Sequence, residues 1–190
     1  EEGYQQPKWW TKESWQKREH EDWTEPRHWT DSQWNGTEQP VVGVSWYEAV
    51  AFCLWLSEAT GEKIMLPTEA RWQYSAQGDD GRTFPWGNGF DRHLCNNNVD
   101  QRGIGKTTPV RQYEGKGDSP FGVVDMAGNV WEWCLTDYND ETDDIHTVTF
   151  RVFRGGSWNT TLIDWLRCLY RDGVSPDVRG HNLGFRITRA

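Results

Sequence analysis

The rhythm of hydrophobic and polar positions changes several times along the chain. Pro40 to Val44 (PVVGV) is a short apolar run, a strand or a lead-in. Ser45-Trp46-Tyr47-Glu48 follows at capping-box spacing, in which the serine hydroxyl and the glutamate carboxylate each take up a free backbone N–H. Trp46, Ala49, Val50, Cys53, Leu54 and Leu56 then give a broad apolar face. They predict a helix to about Ala59 that stops near Gly61. A second helix is predicted over Glu69 to Ala76, with Thr68 as its N-cap. A short helix is expected among the charges of Lys12 to Asp22.

The intervening and later stretches read differently. Thr24 to Gln39 is turn-rich, and its tryptophans are expected to anchor it to the body. Gln77 to Ser119 is rich in Gly, Asn and Asp and predicts a long ordered loop, anchored by Phe84-Pro85-Trp86 and Thr108-Pro109-Val110. Phe121–Met126 and Asn129–Cys134 read as short strands joined by Ala127-Gly128. Asp137 to Asp144 reads as an acidic surface turn. Thr147–Arg154 and Phe185–Thr188 read as further strands.

One stretch keeps no period at all. Arg154 to Arg186 begins with Gly155-Gly156-Ser157-Trp158 and ends with Leu183-Gly184-Phe185. Glycine permits close backbone approach, so both ends read as structural. Between them lie a short apolar patch, Leu162 to Leu169, and turn chemistry from Asp172 to His181. A long irregular segment fixed at both ends is more often functional than filler, against the plainer reading of a surface loop bracing a small β domain.

Composition narrows the function classes. The chain has 190 residues and 14 tryptophans, which predicts a core of large flat rings, each indole N–H wanting an acceptor. Net charge is −9 with a pI near 5.0, which argues against nucleic acid or an anionic membrane as the main partner. No apolar run approaches the roughly 18 residues of a membrane span. The chain starts with Glu, so it reads as a fragment or a processed product. Cytoplasmic and exported locations both stay open. Cys53, Cys95, Cys134 and Cys168 show no zinc spacing. They read as reduced, buried thiols, with one or two disulfides as the alternative.

The motifs PVVGVSWYEAVAFCLWLSEATG, LPTEARWQYSAQG, FPWGN, TTPV, FGVVDMAGNVWEW, RVFRGGSW and NLGFR fall in one order. In that order they resemble the sulfatase-modifying-factor (formylglycine-generating-enzyme) family, from about Pro7 to the end. The resemblance implies one α+β domain over 1–190 with a C-type lectin-like fold. That fold has two helices, a small twisted antiparallel sheet and much ordered coil. The glycine-rich motif that usually opens the family is not found, so N-terminal strands are either missing or altered.

The resemblance also bears on chemistry. Cysteine-oxidising members carry two active-site cysteines after the GGS motif, and two soft thiolates suit copper. Asn159 to Trp165 holds no cysteine here, so no copper and no formylglycine generation are expected. The five histidines show no metal-ligand spacing. Structural Ca²⁺ is the cofactor the family implies. Its ligand positions match Asp125, Gly128, Val130 and Glu132, with a second site at Asn98 and Val99. The alternatives are a turn-capping carboxylate for Asp125 and a buried ion pair for Glu132.

The final segment is similar to something narrower, the variable proteins of diversity-generating retroelements. Arg167-Cys168-Leu169-Tyr170-Arg171, Pro176-Asp177, Arg179 and Leu183-Gly184-Phe185-Arg186 match their fixed frame. Thr160, Ile163, Asp164, Trp165, Leu169, Tyr170, Asp172, Gly173, Val174, Ser175, Val178, Gly180 and His181 match substitutable slots. With Trp158 and Asn159 they form the expected ligand surface. The function implied is a non-catalytic module that binds a protein or other ligand through residues 154–186, as a monomer or within a multidomain protein. The alternatives are an enzyme of the same family and a regulatory domain.

Overall fold

A buried strand and a half-buried helix organise the chain. The computed structural model describes residues 3–147 and 149–190. Helix α1 spans Lys12–His20, capped by the Thr11 hydroxyl. Helix α2 spans Trp46–Thr60 and ends at Gly61. Its expected capping box is present. The Ser45 hydroxyl accepts the Glu48 N–H, and Glu48 Oε2 accepts the Ser45 N–H at 2.7 Å. Strand β1 is Ile64–Met65, and α3 spans Glu69–Gln77 with the Thr68 cap. No helix among the described residues is long and apolar enough to cross a membrane.

The main sheet has the order β4-β3-β2-β5. Strand β2 is Trp131–Asp137, β3 Arg151–Arg154, β4 Arg171–Val174 and β5 Leu183–Phe185. β2 pairs antiparallel with β3, and β3 with β4. β2 and β5 are parallel, so the sheet is mixed rather than wholly antiparallel. A second sheet pairs β1 with β6, Thr188–Arg189. All seven residues of β2 are buried, because α2 covers one face and α3 with the loops covers the other.

The indoles find the acceptors their burial demands. Trp46 donates to the Cys134 carbonyl at 2.9 Å, Trp133 to the Val44 carbonyl at 3.0 Å, and Trp72 to Glu132 at 2.6 Å. Each bond ties an element to β2 or its approach. Buried arginines complete the layer. Arg151 lies over the Trp46 ring, 3.9 Å from its centroid, and donates to the Leu135 carbonyl. Arg154 lies against Trp72 and donates to the Cys168 carbonyl at 2.7 Å.

Several expectations are revised. Phe121–Met126 is a chain of turns, not a strand. Gly122 and Asp125 have φ of 73° and 54°, left-handed values that interrupt an extended run. Of the two readings of Pro40–Val44 the lead-in holds, as coil tied by the Gly43 N–H to the Gly180 carbonyl. The strand expected over Thr147–Arg154 shortens to Arg151–Arg154, and Val148 lies outside the described residues. Phe185–Thr188 splits into the ends of β5 and β6. The irregular C-terminal segment contributes edge strand β4, which its polar sequence Arg-Asp-Gly-Val did not announce. The long loop of residues 77–119 is ordered coil with one 3-10 turn, Val99–Gln101, and a bridge between Phe84 and Gly87. All four cysteines are free and buried.

Candidate functional site

The segment from Arg154 to Arg186 leaves the sheet at β3, returns as β4 and re-enters as β5. Two glycines make its ends possible. A Cβ on Gly156, at φ 75°, would meet Leu166 Cδ2 at 2.7 Å, and one on Gly184 would meet the Val41 carbonyl oxygen at 2.6 Å. Leu166 and Cys168 plug the interior from the short 3-10 turn Ile163–Leu166 and its exit. The Cys168 N–H donates to the Thr83 carbonyl at 2.9 Å.

The frame positions are tied by charge-assisted bonds. Arg154 and Arg171 share Glu69, at 3.1 and 2.8 Å. Arg179 reaches Glu48 at 2.9 Å and lies over Trp23. Asp177 pairs with Lys17 at 2.8 Å. Burial is the largest single influence on Asp177 and pushes its pKa up, but Lys17 and the Ser175 hydroxyl together outweigh it and hold the carboxyl below its ordinary value. Pro176 is buried, and its carbonyl accepts the Trp46 backbone N–H.

The slot positions divide between exposed and half-buried. Leu169 is 61% exposed. Ile163, Asp164, Val178, His181 and Asn159 are also exposed. Trp158, Trp165, Tyr170, Asp172, Gly173, Val174, Ser175 and Gly180 are half-buried. Thr160 stands apart from them. It is 1% exposed, and its hydroxyl accepts the Ser157 N–H at 2.9 Å, which makes it part of the frame.

These outward residues fall into two aromatic groups. Trp165 and Tyr170 sit 6.1 Å apart, and both rest on Trp131, at 6.3 and 6.0 Å. Trp158 and His181 are 5.5 Å apart and meet Trp34 of the N-terminal arm at 5.6 and 5.2 Å. His28 joins the second group, 6.3 Å from His181. Burial, then the nearby Arg27 and His181, push the His28 pKa down. The Trp158 indole N–H is buried with no acceptor. Beside this group a cavity of about 330 Å³ is lined by His28, Trp29, Trp34, Gln39 and Pro40. The arm's part in the site was not foreseen, although its tryptophans were the available signal.

The proposed calcium residues separate into a fitting and an unfitting set. Asp125 Oδ2 accepts from Asn129 at 2.9 Å, while its Oδ1 is buried without a partner. Burial pushes the Asp125 pKa up to about 7. A cation would relieve both costs. Glu132 is already satisfied. Its Oε1 and Oε2 accept Arg186, at 2.7 and 2.5 Å, and Oε2 also accepts Trp72. Gly128 and Val130 lie on the same buried turn and bring backbone carbonyls only. Asn98 Oδ1 accepts the Gly103 N–H at 3.0 Å, and the Val99 N–H donates to Asn97. Among the described residues, no three His, Cys, Asp or Glu side chains converge on one point.

The cysteines are poor nucleophiles. Burial pushes the thiols of Cys53, Cys95 and Cys168 up to about 12, and that of Cys134 upward as well.

Comparison with known proteins identifies the domain. Residues 1–190 match the sulfatase-modifying factor enzyme 1-like domain. The chain is 35% identical over 162 residues to the inactive C-alpha-formylglycine-generating enzyme 2 of Bos taurus, covering 78% of this chain and 50% of that protein. It is 36% identical over 170 residues to the formylglycine-generating enzyme of Streptomyces coelicolor, covering 77% and 51%. The chain thus spans about half the length of these curated relatives. The structure of Treponema denticola variable protein 1 shares the fold, with a TM-score of 0.69 at 24% identity over 86% of this chain and 77% of that one.

Proposed function

The chain belongs to the sulfatase-modifying factor enzyme 1-like domain family, and from that premise we propose that it is a non-catalytic binding module. Its ligand surface is the outward side of Trp158–Asn182. The observation that carries this reading is the division within one segment. Arg154, Leu166, Cys168, Pro176 and Leu183 are buried, while Ile163, Asp164, Leu169, Val178 and His181 are exposed. A segment so divided can change its outward residues without changing its fold. The Trp165–Tyr170 and Trp158–His181 groups supply rigid aromatic area of the kind that anchors interfaces.

Family members include both an enzyme and a protein named inactive, at nearly the same identity to this chain. Family membership therefore does not decide catalysis, and the residues must. Asn159 to Trp165 contains no cysteine, and the thiol of Cys168 is buried and held at about 12. Both features support a binding role over cysteine oxidation.

Ca²⁺ in this reading is structural. Asp125 and the carbonyls of Gly128 and Val130 would hold it, with Glu132 already neutralised by Arg186. The ion would supply charge for the orphaned Asp125 oxygen and would lock the turn before β2. Calcium should then raise the melting temperature of the native chain and leave Asp125→Asn unmoved. An equal shift in both proteins would remove Asp125 from the ligand set.

The surface is tested without knowing its ligand. A library randomised at Ile163, Asp164, Leu169, Val178 and His181 should stay folded and yield binders to several unrelated proteins. Sibling copies of the gene should differ at these same positions. A library that unfolds, or copies invariant across the segment, would remove the reading.

A further inference from the structure

Beyond this surface, the geometry points to a second, independent site: a pocket for a phosphate group, framed by Arg92 and Arg102 in the long loop. The pocket has a volume of about 190 Å³ and is lined by Arg92, Arg102, His93, Asn96, Asn97 and Tyr113, among others. That is roughly six times the ~30 Å³ that one water occupies in the liquid. A phosphate with a small organic substituent is of this scale.

The pocket gathers two cations in an acidic chain. Net charge is −9, and Arg82, Arg154, Arg171, Arg179 and Arg186 all hold carboxylates. Among the described residues neither Arg92 nor Arg102 does. Arg92 is nonetheless fixed in place. One of its terminal nitrogens donates to the Arg102 carbonyl at 2.9 Å, and its own carbonyl accepts from Asn97 at 3.0 Å. Its Nε–H is buried with no acceptor. A preorganised guanidinium with a free donor is what a bidentate oxyanion contact requires. The nearest acid in sequence, Asp91, is engaged by the loop itself, its Oδ1 accepting the His93 backbone N–H at 2.8 Å.

The loop closes tightly behind these residues. Asp100 and Gln101 hold φ of 60° and 57°, and a Cβ on Gly103 would meet the Asn97 carbonyl oxygen at 2.7 Å. This is the same loop that carries Asn98 and Val99, where the family resemblance led us to expect a cation. Two unpaired guanidinium groups beside them invert the sign. One lining acceptor, Asn96 Oδ1, is buried without a donor. The hydroxyl of a monoprotonated phosphate supplies that donor, and sulfate at neutral pH cannot.

The test is calorimetric titration of the whole chain with inorganic phosphate, methyl phosphate and sulfate, at constant ionic strength set with sodium chloride. Saturable binding of a phosphate probe is expected, weaker binding of sulfate, and at least tenfold loss in Arg102→Gln, whose side chain is exposed and whose fold should be intact by circular dichroism. Arg92→Lys keeps the charge but loses the fork, and should fall between the two. Tighter binding of methyl phosphate than of inorganic phosphate identifies a phosphomonoester, and the reverse identifies the free ion. No saturable binding at millimolar concentration, sulfate binding as tight as phosphate, or unchanged affinity in Arg102→Gln each overturns the site.

Discussion

The β2–α2 body and the Trp158–Asn182 segment use the same residues to opposite ends. In the body, Trp46, Trp72 and Trp133 are almost wholly buried, and every indole N–H finds an acceptor on another element. In the segment, Trp158 and Trp165 are half-buried, and the Trp158 N–H is left without one. Aromatic residues in the body hold elements together by ring burial and by a specific hydrogen bond. In the segment they keep ring area available at the surface while arginines and backbone do the holding. A tryptophan count alone does not separate these roles, and the fate of each N–H does.

Breaking the frame should produce the largest effect. Arg154 is buried between Glu69 and the Cys168 carbonyl. Arg154→Ala leaves Glu69 to Arg171 alone and strips the Cys168 and Leu169 carbonyls of their donor, and should cost about 3–5 kcal/mol in denaturant unfolding. A cost within ~0.5 kcal/mol would show that the segment is not held from β3.

The indoles sharpen the comparison at the next level. Trp46→Phe leaves the Cys134 carbonyl buried without its donor and should cost about 1–3 kcal/mol. Trp158→Phe removes a donor that has no acceptor and should be neutral or mildly stabilising. Equal losses at both positions would erase the distinction drawn here.

Inside the segment the aromatic pair should behave as an intermediate case. Trp165 and Tyr170 were expected at the surface, yet both rest on Trp131. Trp165→Ala should cost about 1 kcal/mol, in the range of a partly buried aromatic contact. Leu169→Ser, at an exposed position, should stay within ~0.5 kcal/mol.

The smallest effect concerns pH. The folded chain holds His28 below its ordinary pKa, chiefly through burial. The unfolded chain therefore binds the proton more readily. The contribution of neutral His28 is fully present above about pH 6.5 and is lost as pH falls toward the folded value. Between pH 7 and 5 the native chain should lose more stability than His28→Gln. A larger loss in the variant would place the imidazole in a stabilised cationic state instead.

The local parts of this architecture were legible in the sequence, and the non-local parts were not. The Ser45–Glu48 capping box and the Thr68 cap act within one turn, so spacing alone locates α2 and α3. The partners of β2 lie about 20 and 50 residues downstream, and no local pattern names them. β4 escaped notice because it is an edge strand whose sequence alternates no hydrophobics. Phe121–Met126 misled because its apolar residues have strand composition while Gly122 and Asp125 turn the backbone. The outward site was half legible. Its slots came from a family likeness, and Thr160 among them proved internal because its short side chain folds back on Ser157. The arm residues His28 and Trp34 could be placed only once the chain had folded.

The most direct test of the frame-and-slot account is a complete substitution scan of Arg154 to Arg186, scored by the abundance of folded protein. Ile163, Asp164, Leu169, Val178 and His181 should accept nearly every residue, while Arg154, Gly156, Thr160, Leu166, Cys168 and Gly184 should accept few. If the exposed slots prove as intolerant as the buried frame, the segment is a structural brace and the binding surface lies elsewhere.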